Sequence, residues 1–518
     1  MNPLLLSDGY KTGHHLQYPK GTTLVYSNFT PRSNKYAPKG CDQLVSFGQQ
    51  MVMVQIHEAF QKEFFSKPKD EVCGEMKREL SMYLGTDYDV THFEELHDLG
   101  YLPIHVKGIE EGTLVPIKVP VLTIYNTHPK FYWVTNYLET ILSNLLWKPM
   151  TSATIAHTYR KVLTKWQEKT DAEKGWFIDW QGHDFSMRGM DSVEAVISSG
   201  LGHLTSFSGS DSLPTIYGAR KFYGEQGPVC GSVNATEHSV MCAGGADDEV
   251  GTFRRLLETY PTGILSVVSD TWDLWKVCTE HVVTLKEEIL SRDGKLVIRP
   301  DSGDPVDILC GTGNYVEDGP DAIGNFIHDR KNNPNVSPQV KGVIELLWDV
   351  FGGTVNEQGY KVLDSHIGAI YGDSITIDRA DEICRRLESK GFASTNVVLG
   401  IGSFTYQFNT RDTFGFAMKA TYVELEVPKF GEFLDQNLNT EIVGREIFKD
   451  PITDDGTKKS ATGLLFVRKM DDGTIKLFDK VNWEVENGDA GLLKTIYKDG
   501  EFQNTTTLTE IRERLKQQ

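Results

Sequence analysis

The sequence predicts an α/β protein, with an irregular, TIM-like α/β barrel and a second β-rich domain built from both chain ends. Three observations lead to this prediction. Strand-like and helix-like segments alternate through the middle of the chain. Several of the strand-like segments are continuous apolar runs, as in parallel strands that are buried on both faces. Towards both ends of the chain, short strand-like segments are separated by turn breaks, which is typical of antiparallel strands.

The length of the chain calls for more than one structural unit. A chain of 518 residues exceeds an ordinary single domain, and its 39% of hydrophobic residues is ordinary for a globular protein. We expect residues 151–404 to form the barrel and to contain most of the functional site. We expect residues 1–150 together with 405–518 to form the β-rich α+β domain.

The predicted barrel begins with FIDWQGHDFSMRG (177–189), a strand that ends in polar residues. Apolar residues at helical spacing follow it over 191–204. A helix is also predicted after residue 270, and one of its faces contains Leu274, Cys278, Val282, Leu285 and Ile289. The remaining strand-like segments of this region are 205–211, 265–270, 296–298, 367–374 and 396–403.

Alternation alone does not separate a barrel from an open, doubly wound sheet, and two features favour the barrel. At least six of the predicted strands end in Gly, Ser, Asp or Arg, and barrels distribute their chemistry over many strand ends. No GxGxxG motif follows an early strand, which weakens the dinucleotide-binding alternative. The polar, turn-rich segment 311–336 interrupts the rhythm, and we expect it to be a surface excursion.

The charge and the cysteines limit the class of partner and the compartment. The formal net charge of −19 disfavours nucleic-acid binding, so any anionic ligand needs a few placed cations and backbone N–H groups. The seven cysteines form no CxxC pair, which argues against a disulfide framework and a zinc site. No apolar run is long enough to span a membrane, and the N-terminal stretch lacks a signal-peptide layout. We therefore expect a cytoplasmic protein without a membrane or nucleic-acid partner.

Polar residues and glycines follow the predicted strands one after another. In a barrel these strand ends converge on one pocket, where glycine turns and arginines would bind phosphate and aspartates would hold sugar hydroxyls or Mg²⁺. The set comprises Asp184, Phe185, Arg188, Ser210, Asp211, Ser266, Asp270, Arg299, Asp301, Ser302, Gly303, Gly372, Asp373, Gly400, Gly402 and Ser403.

Each of these residues also has a purely structural interpretation. Asp270 and Asp373 could cap the helices that follow them, and Arg299 could form a structural ion pair. Phe185 could belong to the core, and the isolated His238 of the segment NATEHS could be structural or exposed. The recurrence of the same residue types at strand after strand favours a functional pocket.

Eight short motifs follow one another along the chain: SDGYKTGHHLQYP, HDFSMRG, FSGSDS, NATEHS, SVVSDTWDLW, IRPDSGDP, IYGDS and FKDP. In this order they resemble the nicotinamide phosphoribosyltransferase family, over about residues 7 to 450. The resemblance implies a decorated α/β barrel that makes nicotinamide mononucleotide and pyrophosphate from nicotinamide and phosphoribosyl pyrophosphate. It also implies Mg²⁺ as cofactor, ATP as a coupled co-substrate, and a homodimer with active sites at the subunit interface.

The resemblance also implies roles for individual residues. The pyrophosphate ligands would be Arg188, His238 and Arg299, and His238 would be the histidine that ATP phosphorylates. Around the nicotinamide ring, Phe185 and the partner-derived Tyr10 would stack, Asp211 would accept from the amide, and Ser266 would line the site. The metal ligands stay open, because Mg²⁺ would be held mainly by the substrate pyrophosphate. Ribose and phosphate contacts would come from Arg32, Arg299, Asp301, Gly372, Asp373, Gly402, Ser403, Arg411 and Lys419, with Asp270 and Asp301 offsetting charge on the ribose.

The chain also departs from the family pattern. Ser403 and Phe404 stand where the family tends to have glycines, and Lys458 aligns with the expected lysine only after a shift. Two rival functions stay open from the sequence: a nicotinate phosphoribosyltransferase, and a non-enzymatic binding or signalling protein on the same scaffold. Asp211 argues against the first, because a carboxylate repels the nicotinate anion and accepts from the nicotinamide amide.

Overall fold

In a computed structural model, the structure describes residues 1–313, 337–372, 374–429, 440–448, 461–488 and 490–518. These residues form two compact units. One comprises Met1–Thr154, Gly218–Glu225 and Asn409–Gln518, and the other comprises Ile155–Tyr217 and Gln226–Phe408. Most of the predicted surface excursion at 311–336 lies outside the described residues.

The second unit contains a parallel sheet, as the apolar strand segments predict. Its strands, in the order β7-β6-β14-β13-β10-β9-β8, are joined by parallel pairings throughout. The bounds are β6 Gly182–Asp184, β7 Gly209–Ser210, β8 Asn234–Ala235, β9 Thr262–Val268, β10 Asp293–Arg299, β13 Ile367–Tyr371 and β14 Val397–Ile401. A separate antiparallel pair consists of β11 Gly353–Val355 and β12 Lys361–Leu363.

The sheet curls into an irregular α/β barrel, and the short segment 231–235 connects its two edge strands. Gly231 forms a parallel bridge with Gly209 of β7, in which the Gly231 N–H donates to the Ser208 carbonyl at 2.9 Å. Three residues later, β8 pairs with β9 through Asn234 and Ala235. The predicted α/β barrel is therefore confirmed, and its irregularity comes from edge strands of only two residues.

Strand β10 shows why an apolar run can end in charged residues. Leu296 and Ile298 are fully buried, whereas Lys295, Val297 and Arg299 line the central cavity. Successive side chains of a strand point to opposite faces, so one strand supplies both packing residues and cavity residues. The same alternation places His183 and Phe185 in the wall of the cavity.

Helices connect these strands, and most follow the predicted periodicity. Ser192 caps helix Val193–Leu204 by accepting from the N–H of Ala195, and the predicted face Leu274–Ile289 is buried at all five positions. That second helix is not continuous, because a π-helical turn at Val277–His281 separates its first turn from the rest. Further helices of this unit are Ile178–Gln181, His238–Gly244, Glu249–Thr259, Leu274–Lys276, Val282–Thr284, Lys286–Leu290, Pro305–Cys310, Pro338–Lys341, Val343–Phe351, Ile377–Ser389 and Ser403–Gln407.

The first unit is rich in antiparallel strands and combines residues from both chain ends. Its main sheet has the order β16-β15-β1-β5-β3-β19-β20, in which β1 (Thr22–Thr30) pairs with β15 (Ala417–Pro428). The other strands are β2 Gln43–Val45, β3 Ile104–Ile109, β4 Leu114–Pro116, β5 Leu122–Asn126, β16 Thr440–Glu446, β17 Leu464–Lys469, β18 Ile475–Val481, β19 Leu493–Lys498 and β20 Glu501–Phe502.

The helices of the first unit are His14–Gln17, Gln49–Phe60, Lys69–Leu84, Thr91–Leu99, Tyr132–Tyr137, Trp483–Glu486 and Leu508–Lys516. Two further helices, Glu139–Thr170 and Pro214–Tyr223, each contain a point where the chain passes from one unit into the other. Among the described residues, no helix has the length and apolar character needed to cross a bilayer.

Candidate active site

A cavity of about 850 Å³ lies inside the barrel. Its wall includes four residues from the predicted strand-end set, namely Phe185, Asp211, Ser266 and Arg299. They come from four different segments of the chain, which the parallel sheet brings to one opening. The cavity continues along the strands as far as Ile264, Lys295 and Gly368, so it is longer than the strand-end pocket that the sequence predicts.

One wall of the cavity contains a carboxylate held by two donors. His183 Nε2 lies 2.9 Å from Asp211 Oδ1, and the Ser232 hydroxyl donates to the same oxygen. Burial acts to raise the pKa of Asp211, but the hydrogen bonds from His183 and Ser232 outweigh it, so the pKa is lowered overall. Asp211 is therefore an anionic acceptor at neutral pH.

Two further groups, one aromatic and one polar, line the same cavity. The imidazole of His183 lies against the ring of Phe185, with centroids 4.5 Å apart. Ser266 Oγ is buried and has no hydrogen-bond partner among the described residues. A planar ligand on Phe185 would thus find an anionic acceptor and an unused hydroxyl among the residues that line the same cavity.

Arg299 lies where the cavity meets the carboxylates of the strand ends. Burial lowers the pKa of its guanidinium, and the like charge of Arg188 adds to this effect. The carboxylates of Asp301, Asp211 and Asp270 act in the opposite direction. Its Nε is buried and has no hydrogen-bond partner in the described part of the chain. Such an arginine has donor capacity left for an anionic ligand.

His238 lies beside two carboxylates. Its Nδ1 is 3.2 Å from the hydroxyl of Thr271, and its Nε2 is 3.8 Å from Asp270 Oδ1 and 3.6 Å from Asp301 Oδ2. The side chain of His238 is 46% exposed, whereas that of Asp270 is only 5% exposed. The imidazole is thus accessible from outside while its Nε2 edge faces negative charge.

Asp270 anchors the turn after β10. Its Oδ2 accepts from the backbone N–H of Asp301 at 2.9 Å and from the hydroxyl of Ser302 at 2.5 Å. Its Oδ1 is buried and has no hydrogen-bond partner among the described residues, although His238 Nε2 lies 3.8 Å away. The helix-cap interpretation does not apply to Asp270, because Asp273 caps the next helix. Asp304 caps helix Pro305–Cys310, which gives it a structural role.

The glycine positions of the predicted site differ in what they allow. A Cβ on Gly372 would lie 2.8 Å from Asp301 Oδ1, so glycine lets β13 end close to the Asp301 turn. A Cβ on Gly189 would lie 2.1 Å from the hydroxyl of Ser403. Glycine at this position therefore lets the turn that contains Arg188 lie next to Gly402 and Ser403. Arg188 itself is exposed.

Four predicted residues belong to the first unit and are described there. Tyr10 is exposed, in the 3₁₀ turn Gly9–Gly13. Arg32 follows β1, and its Nε donates to the Gly415 carbonyl at 2.9 Å. Arg411 is exposed at the start of the turn Arg411–Thr413, and Lys419 is exposed on β15, opposite Asn28 of β1. Arg32, Arg411 and Lys419 thus lie along the same end of the β1–β15 pair.

Some predicted residues lie outside the described chain, and others have a structural role. Asp373 and Lys458 are not among the described residues. The prediction that Asp184 reaches the pocket is wrong. Its side chain is fully buried and accepts from the Ser186 N–H at 2.9 Å, because its strand alternation turns it away from His183 and Phe185. Gly400 serves the close packing of β14 on β13, since a Cβ there would lie 2.6 Å from the Tyr371 carbonyl oxygen.

Two residues of the site, His183 and Ser232, were missed by the sequence analysis. His183 precedes Phe185 by two positions, so the period of a strand already places both on one face. Ser232 lies in an irregular segment and pairs with Asp211 across 21 positions of sequence, so no local signal points to it.

Comparisons with known proteins define the class of the molecule as a phosphoribosyltransferase. Residues 180–481 match the nicotinate phosphoribosyltransferase (NAPRTase) family, and residues 2–104 match the N-terminal domain of nicotinamide phosphoribosyltransferase. The chain belongs to the nicotinate phosphoribosyltransferase family, and it is therefore an enzyme that transfers a pentosyl group.

Within this family, relatives named nicotinamide phosphoribosyltransferase match almost the whole chain. The protein from Acinetobacter baylyi is 47% identical, and the match covers 100% of this chain and 98% of the relative. The protein from Xanthomonas campestris pv. campestris is 31% identical over 99% of this chain and 97% of its own. That from Mycoplasma pneumoniae is 34% identical over 89% and 94%.

Two solved structures share the fold at low sequence identity. Human nicotinic acid phosphoribosyltransferase has a TM-score of 0.52 at 16% identity, covering 99% of this chain and 93% of that chain. Nicotinate-nucleotide pyrophosphorylase from Pyrococcus furiosus has a TM-score of 0.52 at 14% identity, covering 100% and 95%. Both agree with the barrel and the β-rich unit described above.

Proposed function

We propose that this protein is a nicotinamide phosphoribosyltransferase, which makes nicotinamide mononucleotide and pyrophosphate from nicotinamide and phosphoribosyl pyrophosphate. The observation that supports it is the Asp211 carboxylate, held by His183 and Ser232 in the wall of an otherwise largely apolar cavity. A carboxamide offers N–H donors to such a carboxylate and a carbonyl to the unpaired hydroxyl of Ser266. Phe185 supplies a surface on which the pyridine ring stacks.

The reaction is a displacement at the anomeric carbon of the ribose. The pyridine nitrogen forms the new bond to this carbon with its own lone pair, and the bond to pyrophosphate breaks with its electrons on the leaving oxygen. No general base is needed, because this nitrogen bears no proton. Arg299 and Arg188 bind the leaving pyrophosphate, and Asp301 holds the ribose while positive charge develops on its ring.

Mg²⁺ is the cofactor that we assign to this site. The described residues contain no group of three or more His, Cys, Asp or Glu side chains suited to hold a metal by themselves. Asp270 and Asp301 nevertheless fit a Mg²⁺ ion that arrives with the substrate, because such ions take one or two carboxylates and several phosphate oxygens. The buried Oδ1 of Asp270 has no hydrogen-bond partner among the described residues and is the available oxygen. The ion would neutralise charge on the departing pyrophosphate.

ATP is the co-substrate that we assign to His238. The imidazole is exposed and lies beside Asp270 and Asp301, which suits a histidine that accepts a phosphoryl group and is oriented by neighbouring acceptors. We expect His238→Ala to abolish stimulation by ATP and to keep part of the basal activity. Undiminished ATP stimulation in that variant would rule out the phosphohistidine.

We also propose a cytoplasmic homodimer whose active sites combine residues of both subunits. The motif resemblance assigns the second aromatic wall to the partner's copy of Tyr10, and Tyr10 is 64% exposed in this chain. Arg32, Arg411 and Lys419 would contact the phosphates of the substrate. Sedimentation analysis tests the dimer, and mixing Phe185→Ala with Tyr10→Ala subunits should restore activity to hybrid dimers if the sites are shared.

One assay tests the proposed function. The protein is incubated with phosphoribosyl pyrophosphate, Mg²⁺ and either nicotinamide or nicotinate, with and without ATP, and the mononucleotides are quantified. We expect turnover of nicotinamide with strong preference over nicotinate. Equal use of both bases would favour a nicotinate phosphoribosyltransferase, and the absence of product under every condition would favour a binding protein.

Asp211→Asn is the variant that tests the basis of this preference. Removing the negative charge should lower kcat/KM for nicotinamide by about 10- to 100-fold, because a charged hydrogen bond is worth roughly 1.5–3 kcal/mol. The same change should improve nicotinate, since the repulsion of its carboxylate disappears. The measurement is kcat/KM for both bases, and an unchanged ratio contradicts the assignment of Asp211.

A further inference from the structure

We propose that His183 is a positioning residue of the base-binding site, which sets the Asp211 carboxylate and the Phe185 ring in register for a pyridine carboxamide. This inference rests on the proposed function, because it concerns how the same cavity recognises its base. His183 is two residues from Phe185 in sequence but 28 residues from Asp211, so its imidazole links the end of β6 to the end of β7.

The carboxylate has one engaged and one open oxygen. His183 Nε2 and the Ser232 hydroxyl both meet Oδ1 of Asp211, and no described group is bonded to Oδ2. Two donors on one oxygen fix the rotation of the carboxylate. Asp211 lines the cavity, so its remaining oxygen is the one left to accept from the N–H of a carboxamide.

The imidazole is itself fixed on two sides. The ring of Phe185 lies against it at a centroid distance of 4.5 Å and an interplanar angle of 34°. On the strand β7 side, a Cβ on Gly209 would lie 2.7 Å from His183 Nδ1, so only a glycine leaves room for the ring. Any shift of His183 therefore moves the acceptor and the aromatic platform together.

The hydrogen bond also has an electrostatic role. Donation from His183 is the main interaction that opposes the effect of burial and keeps the pKa of Asp211 low. A base-binding carboxylate must stay ionised, because a protonated one would present a donor where the amide also presents donors. His183 thus favours both the charge and the direction of the acceptor.

Two substitutions separate the hydrogen bond from the packing. His183→Phe keeps an aromatic ring against Phe185 but has no donor, and His183→Gln keeps an N–H donor without the ring. We expect His183→Phe to raise KM for nicotinamide about tenfold or more, as expected for a hydrogen bond to a charged group. The carboxamide does not take part in the displacement, so kcat and KM for phosphoribosyl pyrophosphate should change less than twofold.

His183→Gln should recover most of the nicotinamide affinity. In both variants kcat/KM for nicotinate should fall less than that for nicotinamide, because the Asp211 carboxylate repels nicotinate and accepts only from the amide. Gly209→Ala should reproduce the rise in nicotinamide KM although it deletes no donor. The matched control is His57→Phe, because His57 also forms a hydrogen bond through its imidazole, to Tyr497, but belongs to the first unit. Its kinetic constants should equal those of the unmodified enzyme.

The outcomes distinguish the two levels of the proposal. An unmodified enzyme that forms no nicotinamide mononucleotide contradicts the proposed function. An active enzyme whose nicotinamide KM is unaffected by His183→Phe contradicts the positioning role alone. If His183→Phe does not fold, Ser232→Ala and Gly209→Ala decide, and a nicotinamide KM unchanged in both also contradicts it. Loss of kcat for both bases together, without rescue by His183→Gln, would assign His183 a merely structural role.

Discussion

Single residues in this protein are placed by the alternation of short strands. Along β10, the sequence LVIR alternates between packing and cavity, so Arg299 reaches the cavity from a strand whose Leu296 and Ile298 are fully buried. Phe185 and Arg299 were predictable from their places at the ends of strand-like segments. Contacts between distant segments, such as Ser232 with Asp211, depend on the barrel closure and have no counterpart in the local sequence.

A buried carboxyl outside the site should make stability depend on pH. Glu249 begins helix Glu249–Thr259, is 5% exposed, and has Oε2 at 3.4 Å from His281 Nδ1. Burial, reinforced by Asp273, raises its pKa from 4.5 to about 7. The folded state then holds a proton that the unfolded chain releases, so stability falls as the pH rises from about 4.5 through 7.

Glu249→Gln removes this pH-dependent contribution of Glu249 to the free energy of unfolding. Relative to the unmodified protein, the variant should gain up to about 3 kcal/mol between pH 5 and pH 8, from the 1.36 kcal/mol per pKa unit. The comparison of the two proteins largely cancels the opposite contribution of His281, whose pKa is lowered by burial. Denaturant unfolding at the two pH values measures the effect, with exposed Glu258→Gln on the same helix as control. Identical pH profiles for all three proteins would contradict the raised pKa of Glu249.

At the scale of elements, the close approach of β13 and β14 shapes the phosphate side of the site. Gly400 on β14 leaves no space for a Cβ, which would lie 2.6 Å from the carbonyl oxygen of Tyr371 and 2.7 Å from the carbonyl carbon of Gly372. Gly372 in turn allows Asp301 to approach the end of β13. The strand spacing therefore sets the position of a residue that we assign to the ribose.

Gly400→Ala should move β13 away from β14. We expect a loss of about 1–3 kcal/mol in stability, as for other overpacked positions, and a rise of roughly tenfold in KM for phosphoribosyl pyrophosphate with little change for nicotinamide. Kinetics and thermal unfolding measure the two effects. Gly74→Ala is the control, because its Cβ meets no atom within 4 Å in the middle of helix Lys69–Leu84, and alanine there should stabilise slightly. Equal KM values for phosphoribosyl pyrophosphate in the two variants would contradict a role for the strand spacing.

The helical segment from Leu274 to Ile289 shows which features hydrophobic periodicity predicts and which it does not. The apolar face from Leu274 to Ile289 is buried as predicted, yet the helix is interrupted by a π turn at Val277–His281. A hydrophobic pattern with a period of 3.6 residues predicts which side chains face the core. A π turn keeps those side chains on the core side but changes the backbone hydrogen bonding. The existence of the segment was therefore predictable from the sequence, whereas its internal geometry was not.

At the scale of the whole molecule, one sheet joins the two ends of the chain. Strand β1 pairs with β15, and β3 pairs with β19, so neither terminal region completes the sheet alone. That strands from both ends of the chain form one β-rich unit was predictable from the strand-like segments on both flanks. The assignment of Gly218–Glu225 to the first unit was not, because it follows from tertiary contacts of a short segment within the barrel region of the sequence.

A buried ion pair reinforces this union of the ends. Lys107 on β3 lies 2.6 Å from Glu486 Oε2, and both side chains are nearly fully buried. Lys107→Met should destabilise the first unit by about 3–5 kcal/mol, because it leaves an unpaired carboxylate in the interior. The double variant with Glu486→Leu should recover much of that loss. Thermal unfolding and limited proteolysis near residue 486 report it, and a double variant no more stable than Lys107→Met would contradict the pairing.

The closure of the barrel has a kinetic consequence. The segment 231–235 joins the two edge strands with one bridge at Gly231 and a two-residue strand, and Ser232 within it bonds to Asp211. Few hydrogen bonds connect the segment 231–235 to the two edge strands, so its amide protons should exchange with solvent sooner than those of β10. A base bound at Asp211 would stabilise the carboxylate that accepts the hydrogen bond from Ser232. Binding of the base should therefore slow this amide exchange. The residues that recognise the base would then also determine how often this part of the barrel opens locally.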